Sequence, residues 1–239
     1  VILQLLLRRN SQPLQLNISD QKGQHRLFSY QLKRNREDRY KMSEKLGQLE
    51  QPAVFLDRDG TINEQMGYIN HISRFILLPG VATAIRTLNE QSIPVVVVTN
   101  QSGLARGYFP PVLLDAVHAQ MERELAAQDA HIDGLYICPH HPEAKEEQFR
   151  KVCTCRKPQT GLLEQAAAEL KLDLTRSFMV GDRWSDLKCG NRVGATSVLV
   201  LTGYGQGDLE YIGPEQEIQP DKIAEDLSEA VDWIIEQLQ

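Results

Sequence analysis

A doubly wound parallel α/β sheet is the fold class this sequence predicts, on two observations. Five short runs of apolar or β-branched residues are spaced along residues 53–203, each ending at polar residues or glycine. Helical patterns fill the intervals between them. Strands that alternate with helices run parallel, because each crossover helix carries the chain back to the same end of the sheet, and the helices cover both faces. With 239 residues, 41% of them hydrophobic, the chain is long enough to bury a real core.

AVFLD (53–57) opens the strand series, followed by PVVVVTN (94–100), GLYIC (134–138), SFMVGD (177–182) and TSVLVLTG (196–203). A first helix is expected from Val81 in VATAIRTLNEQ. A second runs from Val112 in VLLDAVHAQMERELAAQ, after a proline pair suited to a helix start. GLLEQAAAELKL supplies a third from Gly161. The tail DKIAEDLSEAVDWIIEQL repeats Ile223, Leu227, Ala230, Val231, Ile234 and Leu238 at helical spacing, and its apolar stripe is expected to cover the sheet. Ligands of such sheets sit beyond the carboxyl ends of the strands. Those ends read Asp57, Thr99 with Asn100, Cys138, and Gly181 with Asp182.

A formal charge of −6 and a pI near 5.6 argue against a general nucleic-acid binder, which needs a basic face. Residues 1–41 hold nine Lys/Arg against three Asp/Glu, a surplus of six, so residues 42–239 carry −12. The leading VILQLLLRR is too short to span a membrane, and its charges follow the apolar run instead of preceding it. Residues 1–41 show no sustained period and read as an extra N-terminal segment, disordered or non-native, ahead of a single domain over 42–239. No other stretch nears the roughly 18 apolar residues of a membrane span. Four cysteines, three of them between 138 and 155, do not make a secreted disulfide framework, so a reducing cytoplasm is expected.

In FLDRDGTIN, Asp57 ends a strand and Asp59 follows two residues later, with Gly60 allowing the turn. Two acids this close repel unless a cation lies between them. Asp182 is placed to add the further oxygen ligand that Mg²⁺ needs. The set DRDGT, TNQSG, RKP and GDRWSD resembles the four motifs of the haloacid dehalogenase superfamily of Mg²⁺-dependent phosphohydrolases, over Gln51 to Gly203. The resemblance implies a Rossmann-like core with Asp57 as nucleophile, Asp59 as general acid and base, Thr99 and Lys157 on the phosphoryl oxygens, and Mg²⁺ held by Asp57, Asp182 and the carbonyl of Asp59. Asp186 would orient Lys157 or a metal-bound water.

Cys138-x-His140, followed by Cys153-x-Cys155, offers four ligands in two claws, a set suited to closed, structural Zn²⁺, with a disulfide or free thiols as alternatives. Alternation in an extended segment favours His140 over His141. Zinc in loop 138–155 would anchor the chain two residues before Lys157. CPHHP followed by CTCRKP resembles the zinc-binding branch that holds heptose-bisphosphate and histidinol-phosphate phosphatases. NQSGLARGYF, GYIN and the EAKEEQFRKV insert favour the heptose side. That resemblance implies an enzyme for a small sugar phosphate in activated-heptose synthesis for lipopolysaccharide; a monomer with no nucleic-acid or membrane partner is expected. A silent phosphoryl-binding regulator is the alternative of another class.

No large insertion follows Asp59 or Thr99, so short loops, without a cap domain, must select the substrate. Arg106, Arg156 and Arg183 are candidates for a second phosphate or sugar hydroxyls. Asn63, Gly67, Asn100, Gln101 and Ser102 complete the expected binding residues. His71, His118 and His131 read as surface or packing residues, Cys189 as a small buried one, and Trp184 as a candidate for the site entrance.

Overall fold

Six parallel strands lie side by side in the computed structural model, which describes residues 15–19, 25–29 and 50–238. In chain order they are β3 (Val54–Leu56), β4 (Val95–Asn100), β5 (Gly134–Cys138), β6 (Phe178–Gly181), β7 (Thr196–Val200) and β8 (Lys222–Ala224). Separately, Gln15–Ser19 (β1) and His25–Ser29 (β2) pair antiparallel, Gln15 opposite Ser29. No strand was expected there; QLNIS does alternate polar and apolar residues, but over five positions only. The rest of the expected N-terminal segment, and the boundary expected after residue 41, lie outside the described residues. The compact body that holds the site starts at Glu50.

The sheet order is β5-β4-β3-β6-β7-β8. Val54 faces Val95 of β4 on one side and Phe178 of β6 on the other. The chain therefore winds outward from β3 in one direction, returns, and winds outward in the other, which opens a crevice at the end of β3. Alternation within each strand feeds two cores. Val54, Leu56, Val95, Val97 and Val180 face helices α1 (Val81–Glu90), α2 (Pro111–Ala126) and α5 (Leu227–Leu238). Phe55, Val96, Val98 and Met179 face α3 (Gly161–Leu170) and Cys189 of α4 (Trp184–Arg192). Helices on both faces are what the alternating order predicts.

One expected element is corrected. Lys222–Ala224 was read as the start of the C-terminal helix but forms the edge strand β8, and the helix begins at Leu227. Three residues are too few for a period-2 pattern to compete with the helical stripe that follows. Ile223, counted in that stripe, is instead exposed on the edge strand. Among the described residues, no helix is long and apolar enough to cross a membrane.

Candidate active site

Beyond Leu56 the chain turns so tightly that the N–H groups of Thr61, Ile62 and Asn63 all converge on the carbonyl of Arg58, at 3.3, 2.8 and 3.1 Å. Gly60 takes φ +90°, and a Cβ there would collide with the carboxylate of Asp182. Only glycine lets the β3 loop lie against the end of β6. The N–H of Asp57 donates to the carbonyl of Val180, closing the same junction at 2.9 Å.

Asp57, Asp182 and Asp186 bring carboxylate oxygens within 4.8 Å of one another. Lys157 Nζ lies 2.7 Å from Asp57 Oδ1 and 2.7 Å from Asp186 Oδ1, and donates to the carbonyl of Val98 at 2.8 Å. Burial alone would drive the ammonium toward neutrality, but Asp186 and Asp57 outweigh it and raise its pKa. Both remaining acids are pushed up as well: Asp182 to about 8, by burial and then by Asp57 and Asp186, and Asp186 to about 6, by burial only partly offset by Lys157. One ammonium cannot neutralise three buried acids. Asp182 Oδ2 accepts the N–H of Tyr204 at 2.8 Å, while its Oδ1 is buried without a partner. Surplus negative charge and an unpartnered carboxylate oxygen fit a hard divalent cation.

Asp59 is not one of these three acids and has its own set of partners. Arg58 Nη2 forks across its two oxygens at 2.8 and 2.7 Å, Asn63 Nδ2 donates to Oδ1 at 3.0 Å, and Gln101 Nε2 donates to Oδ2 at 2.7 Å. Burial would raise its pKa, but the charge of Arg58 and these donors hold it below the usual carboxylate range. Thr99, buried at the end of β4, accepts from Gln101 Nε2 at 2.9 Å. Asn100 clamps the backbone of Lys157 from both sides, accepting its N–H at 3.0 Å and donating to its carbonyl at 3.2 Å.

A second cluster lies in the loop that leads to Lys157. Cys138, His140, Cys153 and Cys155 converge, and all three cysteines are free thiols. Cys155 Sγ is 3.2 Å from Cys138 Sγ, 3.3 Å from Cys153 Sγ and 3.2 Å from His140 Nδ1. Edges of a zinc–thiolate tetrahedron with bonds of about 2.3 Å are slightly longer, about 3.8 Å, so the donor set and its spacing fit that ion. His141 stands apart, its Nε2 at 2.9 Å from Arg106 Nη2.

The acids, Thr99 and Lys157 line a cavity of about 420 Å³. Of the expected binding residues, Gly67, Asn100, Ser102, Arg156 and Arg183 also line it. Arg183 is further tied to Asp208 at 3.2 Å and lies 4.6 Å over the Tyr204 ring. Four of the expected residues are placed elsewhere. Asn63 is fully buried and Gln101 nearly so; both turn inward to hold Asp59 and do not line the cavity. Arg106 does not line it either: the N–H groups of Lys145 and Glu146 dock on the carbonyl of Ala105, and the guanidinium meets His141 instead of open space. Trp184 is not at the entrance; it is buried, its Nε1 donating to the carbonyl of Ile218 at 2.9 Å. Gln65, in the loop from Glu64 to Gly67 expected to face sugar hydroxyls, also lies on the cavity wall, while sequence reasoning missed Tyr68, Ser185 and Tyr204 there, and Arg58 beside Asp59. Arg58 stood between two singled-out acids, but nothing in the sequence says which way it turns.

A family model described as "HAD-hyrolase-like", for haloacid-dehalogenase-like hydrolases, matches residues 154–230. The chain is 42% identical over 188 residues to the D-glycero-β-D-manno-heptose-1,7-bisphosphate 7-phosphatase of Escherichia coli K12, a match that covers 78% of this chain and 90% of that protein. It is 46% identical over 168 residues to the protein of that name from Haemophilus influenzae, covering 67% and 90%. A crystal structure of D,D-heptose 1,7-bisphosphate phosphatase from B. bronchiseptica, complexed with magnesium and phosphate, superposes with a TM-score of 0.69 at 32% identity, covering 78% of this chain and 99% of that one. The chain belongs to this family of heptose-bisphosphate phosphatases, within the haloacid-dehalogenase-like hydrolases.

Proposed function

We propose that the chain hydrolyses the C7 phosphate of D-glycero-β-D-manno-heptose 1,7-bisphosphate through an aspartyl-phosphate on Asp57. The observation that carries the chemistry is the Asp57–Lys157 pair on the wall of a polar cavity; the substrate and its β anomer come from the relatives' names. An Asp57 oxygen attacks phosphorus while the bond from phosphorus to the C7 oxygen breaks, and Asp59 gives that oxygen its proton. Asp59 then takes a proton from water as the water oxygen attacks phosphorus, which releases phosphate and restores the Asp57 carboxylate. Arg58 keeps Asp59 ionised before substrate enters; a phosphate dianion beside it raises its proton affinity, as any like charge does, and Asp59 takes from solvent, as substrate binds, the proton it then gives to the leaving oxygen. Lys157 and the Thr99 hydroxyl face the charge that builds on the transferring group.

Asp57, Asp182 and the carbonyl of Asp59 would hold Mg²⁺, with Asp186 close by. Bound there, the ion would neutralise phosphoryl oxygens and orient them for in-line attack. Arg156 and Arg183 are the cavity's guanidiniums for the second phosphate. Cys138, His140, Cys153 and Cys155 would hold structural Zn²⁺, and Cys155 stands two residues before Lys157.

Phosphate release with Mg²⁺ from the two anomers of the bisphosphate and from histidinol phosphate, compared as kcat/KM, tests the assignment. A preference of at least about tenfold, ~1.4 kcal/mol, for the β-bisphosphate is expected, with one phosphate released per sugar. Preference for histidinol phosphate overturns the substrate and leaves the residue roles standing. For zinc, Cys153→Ser should lose most of the bound metal, melt at lower temperature and fall in kcat on the order of tenfold. Elemental analysis alongside the assay checks this; a fully active parent protein without zinc would contradict it.

A further inference from the structure

We propose that His118 is a positioning residue for the acid/base carboxylate of Asp59, acting through the guanidinium of Arg58; this rests on the acid/base role proposed above. Helix α2 brings His118 against the site from 60 residues away in sequence, and Nε2 of the ring lies 3.0 Å from Nη1 of Arg58. A guanidinium has only donors, so Nε2 must accept and the ring must be neutral, with its proton on Nδ1. Burial, and then the charge of Arg58, favour that state and hold the His118 pKa near 4.

Arg58 is 2% exposed, and its Nε has no partner. Among the described residues, its side chain hydrogen-bonds only to Asp59 and His118. Without the imidazole, no hydrogen bond would fix the guanidinium except those to the carboxylate it orients. Nη2 alone reaches both oxygens of Asp59, and a single nitrogen holds a carboxylate in place only while the guanidinium's own rotation is stopped. The Nη1 contact with His118 stops it. Asp59 must hand a proton to one oxygen and take it from another on nearly the same line, and a small error in such placement is costly in rate. The histidine thus contributes to proton transfer without touching substrate.

Two leaving groups isolate this contribution. Departure of a sugar alkoxide needs a proton from Asp59, whereas departure of nitrophenolate from p-nitrophenyl phosphate does not, and kcat/KM reports the step in which the leaving group departs. His118→Met should lower kcat/KM for the heptose bisphosphate about tenfold (~1.4 kcal/mol) and change that for the aryl phosphate by less than about twofold. His118→Gln, whose amide oxygen can accept from Nη1, should keep more than about half of the parent's value on the bisphosphate. Equal losses on both substrates would reduce His118 to a packing residue, and no loss on either would make it dispensable; each result overturns the proposal. Asp59→Asn serves as the reference. If that variant fails to separate the two substrates, the acid role of Asp59 itself is wrong, a failure distinguishable from that of His118.

Discussion

Asparagine in place of Asp57 should cut phosphate release by at least about 10³-fold, ~4 kcal/mol of transition-state stabilisation, with the fold intact. An amide oxygen is nearly isosteric with the carboxylate oxygen it replaces but is a poor nucleophile. The neighbourhood survives the change, because Lys157 keeps its contact with Asp186 and the Asp57 N–H keeps its bond to Val180. Steady-state phosphate release and the melting curve should be read together, with acid-quenched protein weighed for a phosphoryl adduct. The parent should carry the adduct and the variant none. Turnover within about tenfold of the parent would move the nucleophile to another group, and the mechanism proposed for Asp57 would fall.

Lys157→Met should be costly twice over. The loss of one charged donor from a site that stabilises developing negative charge is typically worth about 10²- to 10³-fold in kcat. The same change removes the one ammonium shared by Asp57 and Asp186, with Asp182 nearby, and uncompensated buried charge costs roughly 3–5 kcal/mol. The sign with pH follows from the direction of the shift. The Lys157 pKa is raised above its ordinary 10.5, so its stabilisation is complete below that value and is lost only as pH climbs through the raised one. The stability gap between parent and variant should accordingly shrink in strong alkali. Mg²⁺ should restore part of the variant's melting temperature, since a cation among the acids replaces some of the missing charge. A variant as active and as stable as the parent would show that Lys157 neutralises nothing.

What could be read from the sequence was what depends on pattern. Five strands and their order with the helices followed from apolar runs, and the strand-end rule placed Asp57, Thr99 and Asp182 together before any coordinates. The Cys₃His set was legible because four ligands in two claws need little else to specify them. Direction was not legible. Asn63 and Gln101 carry the same donors whether they face a sugar or Asp59, and only their burial decides. Arg106 was drawn off by His141, which a loop insertion brings to its side. His118 lies on an ordinary helical stripe, and its contact with Arg58 exists only once α2 has packed. Lys222–Ala224 failed for want of length.

The winding of the sheet also dictates when the cavity comes into being. β3 lies between β4 and β6, so Asp57 waits for Asp182, made 125 residues later, and Asp182 in turn takes the N–H of Tyr204. A chain emerging from the ribosome exposes the first acidic loop and all four thiol and imidazole donors while half of the central sheet is still unmade. Until β6 docks, the β3 edge is unpaired and nothing opposes Asp57 from the far side. Products of translation that stop short of Asp186 lack one of the three acids and cannot assemble this cavity. Chains that stop before that point should be silent, and phosphatase activity should report synthesis carried past the third acid.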